Sequence, residues 1–256
     1  MEAFRFGEIN RACEETTSTQ DDARALVERD GASAAGVVCS ARYQSAGRGR
    51  QGRTWYAPPG ANVIHTYIGR PVALAELWQV AFVAAVAVAD AVAVFAGDVP
   101  VRLRFPNDLL LRGKKVSGVL VETATGADVP GGFAMPLIGI GINVLGAVDA
   151  LPPEVAVRAT TLQAETGTAF SVGIVGGQLA QALTHRWNEW RTGDGIVTTL
   201  AAWHGYHDPE ARRMFTLPGG ETALCRVVSV APDGMVVIEL PDGSRRVIPV
   251  AHVLLP

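Results

Sequence analysis

The sequence predicts an α+β protein: a mixed β-sheet flanked by helices over residues 1–211, followed by a small SH3-like all-β domain over 212–256. Three observations support this. Strand-length apolar runs alternate with helix-length stretches up to about residue 191, so sheet and helices pack on one another. From about residue 213 the chain changes to short valine-rich runs. Asp233-Gly234 and Asp242-Gly243 separate those runs, and such dipeptides favour two-residue hairpin turns.

In chain order, Ser18 and Thr19 each stand three residues before an aspartate and open the helix-forming DDARALVER, which stops at Asp30-Gly31. That is a capped helix over 20–29. Residues 36–41 read as a short buried strand leading into the loop SAGRGRQGRTW, and Pro58-Pro59-Gly60 then breaks any helix. A strand follows over 62–68, and the alanine- and valine-rich stretch 74–95 is the longest helix, ended by Gly97 and Pro100. Between Glu76 and Asp90 lie only 13 uncharged residues, fewer than the roughly 18 of a membrane span, so this is a core helix. A second short strand precedes Pro106. Residues 115–123 and 133–144 are β-rich and joined by ATGADVPGG, the pattern of an antiparallel hairpin with a longer loop. A proline-rich connection at 151–154 precedes a helix over 171–191 that closes at Gly193. The C-terminal module of about 40 residues is small for independent folding and is expected to pack on the first domain.

Composition excludes several classes. The 256 residues are 48% apolar and 18% charged, which is a folded globular balance. Basic side chains number 22 against 25 acidic ones, a net charge of −3, so no global field exists for holding nucleic acid. Cys13, Cys39 and Cys225 stand singly and suggest neither a disulfide framework nor a zinc ribbon, which favours a reducing, cytoplasmic compartment. The N-terminus lacks a basic stretch followed by an apolar run, so no secretory signal is expected. Only Lys114 and Lys115 are lysines among the 22 basic residues. A lysine kept in so arginine-biased a chain hints at a place where a compact ammonium is required.

Residues 47–52, GRGRQG, fit the G-x-G-x-x-G spacing, but Pro58-Pro59-Gly60 follows where a dinucleotide fold needs a helix, and the next carboxylate is Glu76. Read chemically, Arg48, Arg50 and Arg53 alternate with glycines in a loop suited to phosphate or carboxylate. A solvated or RNA-binding arginine-glycine loop is the alternative, and Trp55 is either a pocket wall or a core residue. Arg104-Phe105-Pro106-Asn107-Asp108 and Lys115-Val116-Ser117-Gly118 bring an ammonium, an amide and a carboxylate near a strand entrance. In Ile138-Gly139-Ile140-Gly141-Ile142-Asn143 alternate positions are stripped to glycine, for a flat ligand or for close packing. His204 and His207 lack the partners of a metal site. No G-x-S-x-G elbow or P-loop motif is present.

Taken in order, Ser18-Thr19, the run Tyr43 to Trp55, Arg104 to Asp108, Lys115 to Gly118 and Gly139 to Asn143 closely resemble the biotin–protein ligase family. The resemblance runs from about residue 14 to 145, and the family's C-terminal SH3-like barrel is similar to the all-β segment here. It implies an enzyme that converts biotin and Mg-ATP to biotinyl-5′-AMP and pyrophosphate, then passes the biotinyl group to a lysine of a biotin carboxyl carrier protein. A lipoate or octanoate ligase of related fold, and a non-catalytic RNA-binding module, are the alternatives.

Carried over by position, the resemblance implies that Lys115 bridges the biotin carboxylate and α-phosphate, with Arg50 and Asp108 also catalytic. Ser18, Thr19, Gln44, Gly47, Arg48, Gly118, Gly139 and Gly141 are implied to bind biotin. Arg50, Arg53, Trp55, Arg104, Asn107 and Asn143 are implied to bind nucleotide. Asp108 orients the incoming amine or accepts its proton. The chain departs from the family at Arg104-Phe105, where lysine and tryptophan are common, and at Gln20, where asparagine is usual. Some members carry an N-terminal helix-turn-helix domain. Only about 15 residues precede the first motif here, so DNA binding by that route is not expected. No metal ligands are indicated, no membrane association is expected, and a homodimer is left open. The loop over 45–56 is expected to be mobile without ligand and to order over the adenylate.

Overall fold

The computed structural model describes residues 3–146, 148, 151–217 and 220–250. Its first half contains β1 (Asn10–Thr16), α1 (Thr19–Asp30), β2 (Val38–Gln44), β3 (Asn62–Ile68), β4 (Val72–Ala73), α2 (Leu77–Ala96), β5 (Val101–Arg104) and β6 (Asp108–Leu111). Then come β7 (Lys114–Ala124), β8 (Phe133–Asn143), α3 (Pro153–Ala156), α4 (Leu162–Thr166), α5 (Val172–Trp190) and α6 (Gly195–Tyr206). The C-terminal strands are β9 (Arg212–Thr216), β10 (Thr222–Val230), β11 (Met235–Glu239) and β12 (Arg245–Pro249).

The fold is the α+β architecture expected. A mixed sheet runs β1-β2-β3-β8-β7-β6-β5, with β4 on the end of β8, and a separate antiparallel sheet runs β12-β11-β10-β9. Helix α1 starts where the Ser18 hydroxyl accepts the Gln20 N–H, and it ends at Gly31, whose φ of 58° suits glycine. It lies on one face of the sheet. Helices α2, α5 and α6 pack together on the other, around a core that includes Phe82, Val83, Val86, Leu103, Ile138, Ile140, Leu179 and Trp203. Burying each such valine or leucine contributes about 1.5–3 kcal/mol. Residues 74–96 are long and apolar enough to cross a membrane, yet 72% of an apolar 18-residue run within them is buried inside the protein, where this is the central core helix.

Seven elements go beyond the expected set, two of them the two-residue β4 and the one-turn α3. The first strand, NRACEET, is an exposed edge strand, so its polar residues show no apolar alternation. Strand β6 has four residues and joins β7 through Arg112-Gly113, both at positive φ (47° and 78°), the geometry of a two-residue hairpin turn. Helix α4 is a single short turn capped by Thr161. Helix α6 begins with β-branched residues and is helical because Thr199, Leu200 and Trp203 bury one face. Strand β9 adds a fourth strand to the three expected at the C-terminus. That small sheet is fastened to the first by side chains. Arg213 Nη1 donates to the Phe105 carbonyl at 2.8 Å, and Phe215 stacks on Phe105 with ring centroids 5.9 Å apart. His207 lies between the carbonyls of Leu103 and Val227, and His204 lies against Val230 O.

Candidate active site

On the α1 side the sheet floor is built by register. Asp108, Gly118, Gly141 and Ile64 form one row across β6, β7, β8 and β3, and Leu120, Gly139 and Thr66 form the next. Lys115 and Gly118 are three residues apart, so on a regular strand they would face opposite sides. A bulge prevents this: Leu109 pairs with Ser117 but Leu110 pairs with Lys115. The extra residue turns Lys115 over Gly118, where an added Cβ would lie 3.0 Å from both Lys115 Cε and Nζ. The Lys115 backbone is anchored as well, its N–H donating to Arg158 O at 2.8 Å and its carbonyl accepting from Thr160 N at 2.9 Å.

Above this floor is a cavity of about 460 Å³. Every residue singled out from the sequence lines it except Gly47. Gly47 holds the loop instead. A Cβ there would come 2.7 Å from Trp55 O and 2.9 Å from Gln44 Nε2, and its carbonyl accepts the Trp55 N–H at 2.9 Å.

The two ends of the cavity differ in chemistry. At one end Gln44 Oε1 accepts from Thr19 N at 2.8 Å and Thr19 Oγ1 at 3.0 Å, and Thr19 Oγ1 meets Thr66 Oγ1 at 2.8 Å. At the other end Asp108 bridges two cations, with Lys115 Nζ at 2.6 Å and Arg104 Nη2 at 2.8 Å. Burial alone would raise the Asp108 carboxyl, but Lys115 and Arg104 outweigh it and hold the group at about 2. Arg50 donates to Asn107 Oδ1 at 3.3 Å, and the Asn107 amide donates to Val119 O. Asn143 donates to Thr160 O at 3.0 Å, fixing the segment beside Lys115. Burial lowers the Arg50 guanidinium to about 10, and Arg213 and Arg53 nearby push the same way. Burial also lowers Arg213, with Arg104 and Arg53 adding to it. Cations crowded and desolvated to this degree form a site for an anion.

The loop over 45–56 is closed on the cavity. Arg48 makes a two-pronged ion pair with Asp21 of α1 at 2.8 and 2.7 Å, and reaches Glu122 at 3.5 Å. The Trp55 indole rests on the floor, where a Cβ on Gly141 would come 2.4 Å from its Cε2. Lys115 Nζ stands 5.5 Å from its ring centroid. The space opened by Gly141 is therefore filled by Trp55 in this state. Two buried polar atoms of the lining, Trp55 Nε1 and Gln20 Oε1, have no hydrogen-bond partner among the described residues.

The lining includes residues that the motifs did not single out: Ile64, Thr66, Leu151, Val155, Arg158, Arg212 and Arg213. Arg212 and Arg213 open β9, far from every motif in the chain, and only tertiary packing brings them here. The apolar residues Leu151 and Val155 lie just before and within α3, in a stretch that reads from the sequence as a proline-rich connection.

A cavity with a polar pocket at one end and clustered cations at the other suits a ligand that combines a polar head with an anionic part. Residues 13–143 match the profile described as "Biotin/lipoate A/B protein ligase family". The chain belongs to that family. It is 35% identical over 217 residues to biotin–[acetyl-CoA-carboxylase] ligase of Paracoccus denitrificans, covering 83% of this chain and 88% of that protein. To the enzyme of the same name from Mycobacterium tuberculosis it is 31% identical over 245 residues, covering 91% and 84%. Among solved structures, biotin protein ligase from Aquifex aeolicus in complex with biotin and ATP is similar in fold. Its TM-score is 0.72 at 24% identity, over 95% of this chain and 96% of that one.

Proposed function

We infer that the chain is an ATP-dependent ligase that activates biotin as biotinyl-5′-AMP and transfers it to a lysine of a biotin carboxyl carrier domain. The observation that carries this reading is one cavity with a polar pocket at one end, an arginine-lysine cluster at the other and a glycine floor between them. The names of the relatives, and the biotin and ATP bound to the related fold, support it.

Neither chemical step needs a nucleophile from this chain. The biotin carboxylate attacks the α-phosphorus and pyrophosphate leaves; the carrier amine then attacks the acyl carbon and AMP leaves. The protein's task is alignment and charge neutralisation. Lys115 is assigned to the carboxylate and α-phosphate. Arg50, Arg53 and Arg104 are assigned to the outer phosphates, joined by Arg213 from the small sheet, which we treat as a separate domain from residue 212. Ser18, Thr19 and Gln44 are assigned to the ureido ring, and Trp55 to covering the acyl chain after it lifts from Gly141. Asp108, held at about 2, takes up no proton near neutrality, so its role is to hold Lys115 and orient the incoming amine. No group of three His, Cys, Asp or Glu among the described residues could hold a metal. Mg²⁺ accordingly enters with ATP as part of the substrate, on phosphate oxygens.

ATP–pyrophosphate exchange with biotin, lipoate and octanoate tests the reading. Biotin-dependent exchange is expected; exchange with lipoate alone would reverse the substrate assignment.

A further inference from the structure

His207 caps the C-terminus of α6 and is buried where the two sheets meet. Both of its ring nitrogens face main-chain carbonyls, and the two carbonyls belong to different sheets: Nδ1 stands 3.3 Å from Leu103 O of β5, and Nε2 stands 3.1 Å from Val227 O of β10. The ring stacks on Trp203, with centroids 4.3 Å apart and planes 20° apart, and the Trp203 indole N–H donates to Pro106 O at 3.3 Å. One stacked pair thus touches the strand before Arg104, the segment that carries Asn107 and Asp108, and the small sheet.

Burial lowers the His207 pKa, with His204 adding to it, by more than the two carbonyls and Asp208 raise it. At neutral pH the ring therefore carries a single N–H. Leu103 O already accepts the Asp208 N–H at 2.9 Å, and Val227 O is the nearer of the two acceptors. The proton accordingly belongs on Nε2, donated to the small sheet. Val227 lies at the bulge of β10, two residues past Cys225, and Cys225 is the register partner of Arg213 on β9. Arg213 in turn lines the cavity and donates to Phe105 O at 2.8 Å.

We propose that His207 is a positioning residue for nucleotide binding, which acts through Arg213 by fastening β10 to the first sheet beside the strand pairing that carries that arginine. This rests on the assignment of Arg213 to the phosphates. It concerns ATP and leaves the acid pocket untouched.

The test compares the wild type with His207→Phe, which keeps a ring over Trp203 but loses the N–H, and with His207→Gln, whose amide keeps a donor. Wild-type exchange is run first. Exchange with lipoate alone would overturn only the biotin reading, and the comparison then proceeds with that acid; no exchange with any acid would remove both. His207→Phe should raise the KM for ATP about three- to tenfold, the effect of one lost hydrogen bond, with kcat and the biotin Kd unchanged. His207→Gln should recover most of the loss. In an Arg213→Ala background His207→Phe should add nothing, because both changes act through one contact. An unchanged KM for ATP, a parallel loss of biotin affinity, or additive effects in the double variant would overturn the proposal. If His207→Phe does not fold, nitrogen NMR of the wild-type imidazoles decides: His207 should be the neutral Nε2–H tautomer, and a proton on Nδ1 alone would overturn the proposal.

Discussion

Gly141 and Gly118 are cross-strand neighbours on one floor, but alanine at the two should have opposite consequences. Neither has a positive φ, so each backbone accepts alanine, and the stiffer unfolded chain alone is worth about 0.4–1 kcal/mol in favour. At Gly118 the new methyl meets the flexible end of Lys115 at 3.0 Å and Trp55 Cζ3 at 3.4 Å. Lys115 can swing away, so stability is expected to hold while exchange activity falls. At Gly141 the methyl would lie 2.4, 2.5 and 2.8 Å from three atoms of the indole, over 1 Å inside ordinary carbon–carbon contact at about 3.5–4.0 Å. Overpacking of this kind costs about 1–3 kcal/mol, which after the backbone gain of about 0.4–1 kcal/mol leaves a net loss of up to about 2.6 kcal/mol. At about 2–4 °C per kcal/mol for a chain of this length, a mid-range loss of about 1–2 kcal/mol lowers Tm by about 2–8 °C. The assay is thermal unfolding of Gly141→Ala, Trp55→Ala and the double variant. In the Trp55→Ala background the alanine should no longer cost anything, a coupling of about 1–3 kcal/mol. Equal stability of Gly141→Ala and Gly118→Ala, with additive behaviour in the double variant, would refute the placement of Trp55 on the floor.

Lys115→Ala should lower biotin-dependent ATP–pyrophosphate exchange by about 10²–10³-fold, the cost of removing one charge-stabilising group; Lys115→Arg should not restore it, as steady-state exchange rates will show. Arg213→Ala should raise the KM for ATP by about 10–100-fold, from about 1.5–3 kcal/mol for a charge-assisted bond, with the biotin Kd by titration calorimetry unchanged. Asp108 has a folded pKa of about 2, below its ordinary 3.8. Its charged form therefore stabilises the fold above the ordinary value, and that contribution is lost as pH falls through about 2. Urea midpoints at pH 5 and pH 2.5 should accordingly differ more for the wild type than for Asp108→Asn. Arg48→Ala removes the ion pair to Asp21, so trypsin should cut at Arg50 or Arg53 faster in the variant, and biotin with ATP should protect the wild type.

What was legible in the sequence was whatever repeats along the chain. The glycine alternation of 138–143 and the β-rich 115–123 become β8 and β7, and the capped helix becomes α1, because local pattern and tertiary position agree there. What was not legible depends on register or on distant packing. The bulge opposite Leu109 and Leu110 has no signature in KKVSG, yet it decides which way Lys115 points. Strand β6 was hidden by its four-residue length and by a turn of Arg-Gly rather than Asn-Gly. Arg213 lies far along the chain from the loop arginines and joins them only because Phe215 stacks on Phe105 and Arg213 bonds the Phe105 carbonyl. Gly139 and Gly141 read as room for a flat ligand or for close packing, and in this state Gln20 and Trp55 take the room.

The same geometry explains why position 115 holds a lysine in a chain whose other cations, Lys114 apart, are all arginine. The ammonium sits 3.0 Å from the space over Gly118, 2.6 Å from Asp108 and 5.5 Å from the Trp55 centroid. A planar guanidinium, with its fixed fork of donors, needs more width than this slot has, and it cannot turn from one oxygen to another as a rotating ammonium does. The surrounding arginines meet a different demand. Arg50, Arg53, Arg104 and Arg213 line the same cavity, and guanidinium forks suit the oxygens of several phosphates. Burial is the main cause that lowers Arg50 and Arg213, with neighbouring cations adding to it, so a bound polyanion would supply the charge compensation that water does not. On the proposed reading, the triphosphate would meet these guanidinium groups, which leaves Lys115 for the atom at which the bond is made.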